Sequence, residues 1–89
     1  MSLEVGAYEP TFLQPCKMAL ANQLDERLLA TLFYELEREV KRGNAQVIYN
    51  YGVVKGHVGD IPTATALLQT AMDLGVPEAR GALSRLLMR

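Results

Sequence analysis

His57 stands in the segment Gly56-His57-Val58-Gly59, and an imidazole in such a turn has the chemistry of a general base or a metal ligand. No acid, nucleophile or second ligand is spaced to serve it, so the sequence nominates no catalytic residue. Cys16 is the one cysteine of the chain. It falls on the apolar side of a predicted helix with no activating base to name, which reads as a small core residue rather than a nucleophile. One Cys and one His supply no metal site in a recognised spacing and no internal disulfide. Gly52, Gly56 and Gly59 lack the Gly-Lys-Ser/Thr and the preceding strand of a phosphate loop, and read as turn and packing residues. The expectation is a protein without a catalytic site, metal or cofactor.

Composition narrows the partners. Nine basic and ten acidic residues leave a net charge of -1, without the basic excess of a phosphate-tracking surface, so nucleic-acid binding is not expected. Apolar residues make up 49% of the chain and charged ones 21%, which fits a folded domain with apolar surface to spare. Met1 to Gln14 has no basic start followed by a long apolar run, and no stretch approaches the ~18 consecutive apolar residues of a membrane span. With a single cysteine, a reducing cytoplasmic setting is the expected one.

The elements that would position these residues are all helical. Residues 1–10, with Gly6 and Pro10 and no apolar period, read as a flexible N-terminal segment before a single helical domain over 11–89. Thr11 to about Gln23 carries Phe12, Leu13, Cys16, Ala19 and Leu20 at helical spacing, with Thr11 and Gln14 in capping-box order and Pro15 as an alternative start. Asp25 to Arg42 gives the clearest stripe, formed by Leu28, Leu29, Leu32, Phe33, Leu36 and Val40, with Gly43 as its stop. The charges from Glu35 to Arg42 suit a solvated face whose ion pairs are worth only a few tenths of a kcal/mol each. Asn44 can cap a third helix from Ala45 to about Lys55, and Asp60 a fourth reaching Leu74 with Pro62 in its first turn. Gly75 ends that helix and Pro77 opens a closing one over 77–88. Ala64 and Ala71 are expected to face the third helix near Gly52. Tyr34, Tyr49 and Tyr51 serve either an interface or helix packing, since tyrosine suits both.

Ala45, Tyr49, Asn50, Gly52, Gly56, Gly59, Asp60, Ala64, Ala71, Gly75, Pro77, Ala79 and Leu83 fall where a helix-turn-helix repeat needs them. Ala45 and Ala79 stand 34 residues apart, the period of a tetratricopeptide repeat. The chain resembles the tetratricopeptide and Sel1-like superfamily, with its best unit over 44–75. It departs from the family pattern at Ile48, at Tyr51-Gly52 and in the short turn Gly56 to Asp60.

The resemblance implies an all-α fold of about five short helices in antiparallel units, with the first helix of each unit lining a groove for a partner's peptide or helix. Carried over to this chain, the groove positions are Gln46, Tyr49, Asn50, Val53 and His57, followed by Arg80, Leu83, Ser84 and Leu87. In that scheme Tyr49 gives aromatic contact area, Asn50 bonds a peptide backbone, and Val53 with Leu87 holds an apolar anchor. The implied function is a non-catalytic adaptor or small chaperone, a role that includes chaperones of bacterial secretion systems. The other reading is a structural homodimer that buries the apolar surplus against a second copy.

Overall fold

The structure, a computed structural model, describes residues 12–88. Residues 1–10 and the Thr11 half of the expected capping box lie outside the described residues. Five helices follow one another: α1 (Leu13–Leu20), α2 (Glu26–Lys41), α3 (Ala45–His57), α4 (Ile61–Asp73) and α5 (Glu78–Leu87). No strand occurs among the described residues, and the fold is all-α.

Three of the helices begin where a short polar side chain satisfies an otherwise unpaired amide. Asp25 Oδ1 accepts from the Leu28 amide at 2.8 Å, Asn44 Oδ1 from Val47 at 3.3 Å, and Asp60 Oδ1 from Thr63 at 3.4 Å. Hydrogen bonding from Thr63, opposed by partial burial and helped by Lys55, holds the Asp60 carboxyl below its usual range. α1 has no such cap. It starts at Leu13, after Phe12 in the left-handed region and two residues before Pro15 would have begun it. Gly43, Gly59 and Gly75 take positive φ at the ends of α2, α3 and α4, a conformation that strains other residues.

α3 is the centre of the molecule. Its Val47, Ile48, Asn50, Tyr51, Gly52, Val54 and Gly56 are all buried, and the side that carries Gln46, Tyr49, Val53 and His57 is left less covered. α2 and α4 run antiparallel to it. Along α2, Phe33 stacks near Tyr51 with ring centroids 5.7 Å apart, and Val40 packs beside Ile48. Along α4, Ala64 comes close to Gly56, Leu68 to Gly52, and Ala71 joins the cluster of Ile48.

α5 runs parallel to α3, since Ala79 shares that same cluster while Leu86 approaches Gly56. α1 runs parallel to it as well. Leu13 lies with Tyr49, Asn50 and Val53, Leu20 reaches Gly56 and His57, and Asn22 Oδ1 sits 3.0 Å from His57 Nε2.

The small-residue seam differs from its sequence reading. Gly52 faces Leu67 and Leu68, not the two alanines: a Cβ built on it would lie 2.9 Å from Leu68 Cγ. Ala64 sits one turn towards the α3 C-terminus and Ala71 about one turn towards its N-terminus, as antiparallel packing requires. Leu28 also leaves the expected stripe of α2, being 51% exposed while Leu32 and Leu36 are buried.

The α2–α3 seam carries a polar chain across its edge. Tyr51 is buried and its hydroxyl donates to Glu37 Oε2 at 2.6 Å. Burial, and then the Glu37 carboxylate, push the phenol well above its ordinary value, so it stays protonated as a donor. Lys55 Nζ stands 4.2 Å from the Phe33 ring centroid and 3.6 Å from Asp60 Oδ2. That ammonium ties α2, α3 and the turn before α4 together.

Candidate partner-binding trough

α1 and α5 rise on either side of α3 and leave a trough along it. Near the middle of α3 the trough opens to about 210 Å³ between Leu13, Cys16, Lys17 and Leu20 on one wall and Tyr49, Asn50 and Val53 on its floor. Towards the C-terminal end of α3 it opens again to about 240 Å³, where Gly52, Val53, Gly56 and His57 meet Leu68, Ala82, Arg85 and Leu86. Leu20 and Val53 border both openings, so the two are neighbours along α3. Glycine forms part of the floor for a physical reason. At Gly56 an added Cβ would come within 3.1 Å of Leu86 Cδ1, so a side chain there would fill the space between α3 and α5.

The residues of the implied groove divide by position. Tyr49, Asn50 and Val53 border the first opening, and Val53 and His57 the second. Asn50 is 7% exposed and accepts from Gln46 Nε2 at 3.3 Å, which leaves Gln46 at the exposed shoulder of the floor. Arg80 borders a separate hollow with Met72, Gly75, Val76 and Pro77. Leu83 is buried in the cluster of Ala64, Leu68, Ala82 and Leu86. Ser84 and Leu87 are exposed on α5, and neither is among the residues that border the two openings.

Sequence reasoning missed two contributors to the walls. The first is α1, whose Leu13, Cys16 and Leu20 read as core positions; Cys16 is indeed 3% exposed, yet its helix forms the rim. The second is Arg85, which no spacing argument separates from other surface bases. The tyrosines also part company: Tyr51 is core, Tyr49 lies on the trough floor, and Tyr34 is exposed on α2.

Among the described residues, no three of the His, Cys, Asp and Glu side chains come together as a metal would need. No helix among them is long and apolar enough to cross a membrane. No family model, curated protein or solved structure matches the chain.

Proposed function

We propose that the chain is a non-catalytic interaction module, an adaptor or small chaperone, that takes up an apolar peptide or helix of a partner protein in the α1–α3–α5 trough. The observation that carries this reading is the succession of two openings along α3 that share Leu20 and Val53 as borders. A channel of that form suits a segment with apolar side chains at successive turns, which is how helices and extended peptides dock into grooves. The parallel run of α1, α3 and α5, with α2 and α4 antiparallel behind them, supports the tetratricopeptide or Sel1-like resemblance, because tandem units place their first helices side by side. A cytoplasmic setting belongs to the same reading.

The test is capture of a partner from the source organism, its identification by mass spectrometry, and titration of the purified pair. Tyr49→Ala should weaken binding about tenfold, since a central aromatic contact carries a large part of an interface's energy. Its helical signal in circular dichroism should remain that of the parent. Undiminished affinity would move the interface off the trough.

A further inference from the structure

The charges around the trough are of one sign. Lys17 borders the first opening from α1 and Arg85 the second from α5, on opposite sides of α3. No carboxylate borders either opening among the described residues. The described acids lie elsewhere: on α2 and its cap, at the two ends of α4 in Asp60 and Asp73, and at the start of α5 in Glu78. Several have work there, Glu37 with Tyr51, Glu39 with Arg42, and Asp60 with Lys55. In a chain whose net charge is -1, a cationic border on an apolar channel is a local feature, and a partner reads it locally.

We infer that the occupant of the trough is an amphipathic segment of a partner protein whose apolar stripe is flanked on both margins by carboxylates. The inference rests on the trough being the binding surface and adds the chemistry of what binds. Apolar side chains would enter over Val53 and Leu20, where the floor is uncharged. Acidic side chains on the two margins would then reach Lys17 on one wall and Arg85 on the other. A segment with basic margins would meet like charge on both sides, and like-charge juxtaposition discriminates strongly between partners.

Two synthetic helical peptides with the same leucine stripe, one with glutamate and one with lysine at every flanking position, form the probe. Both are acetylated and amidated, so that no terminal charge contributes. In fluorescence anisotropy the acidic peptide should bind the full chain about tenfold more tightly than the basic one, and added salt should shrink that gap. Lys17→Glu combined with Arg85→Glu should reverse the preference; both side chains are exposed, so the fold should hold. Equal binding of the two peptides would overturn the charge inference and leave the trough reading standing. No binding of either would overturn both. Self-association of the free chain in light scattering, lost in the double variant, would overturn it in favour of a second copy as the occupant.

Discussion

Gly52→Val should lower the stability of this protein by about 3 kcal/mol, at the upper end of what overpacking a core costs. The position is tight against α4. A Cβ there would stand 2.9 Å from Leu68 Cγ, 3.0 Å from Leu68 Cδ2 and 3.2 Å from Leu67 Cβ, and the two methyls of valine extend further into the same space. Leu68 is 2% exposed and would have to swing towards the neighbouring opening, while the Cβ of Leu67 moves only if α4 moves with it. The gain in helix propensity over glycine is below about 1 kcal/mol and cannot offset the displacement. In thermal unfolding the midpoint should fall by roughly 12 to 24 °C for a domain of this size. Gly81→Ala supplies the contrast. Its nearest neighbour would be the far end of Arg85 at 3.7 Å, so the helical gain should appear nearly whole and raise the midpoint. A Gly52→Val variant as stable as the parent would mean that α3 and α4 do not approach at that point.

Ala71→Leu should cost about 2 kcal/mol by the same mechanism near the C-terminal end of α4. Ala71 is fully buried among Ile48, Val76 and Ala79, and its carbonyl oxygen accepts from the Val76 amide at 3.0 Å, which fixes the turn into α5. Three more heavy atoms there would push Ala79 and α5 away from α3. Urea denaturation should show a lower midpoint with little change in slope. An unchanged midpoint would place Ala71 at the surface and contradict the packing of α5 on α3 and α4.

These two sites show what the sequence does and does not disclose. The caps at Asp25, Asn44 and Asp60 and the stops at Gly43 and Gly75 are local chemistry, so the limits of α2 and α4 were legible to within a residue, whereas α3 runs on through Gly56 and His57, where the sequence reads as a turn, because Gly56 packs inside the helix against α5. Which residue meets which across a seam is not local. Gly52 and Ala71 both read as seam positions, yet antiparallel packing sets leucines against Gly52 and sends Ala71 to Ile48. The trough was half legible for the same reason. Tyr49, Asn50 and Val53 follow from one helix and a repeat register, whereas the wall made by Leu13, Lys17 and Leu20 depends on α1 docking parallel to a helix about thirty residues away. An eight-residue helix has too short a period to reveal that direction.

The proposed function places a partner's segment along α3 between α1 and α5. The most direct test is to label the chain with 15N, assign its amide spectrum, and titrate in the binding segment of the partner that it captures. Shifts should concentrate on residues 13–20 of α1, 49–57 of α3 and 82–86 of α5, with the exposed side of α2 around Leu28 and Tyr34 unmoved. Shifts confined to α2, with the amides of Leu20, Val53 and Arg85 unchanged at saturation, would contradict it.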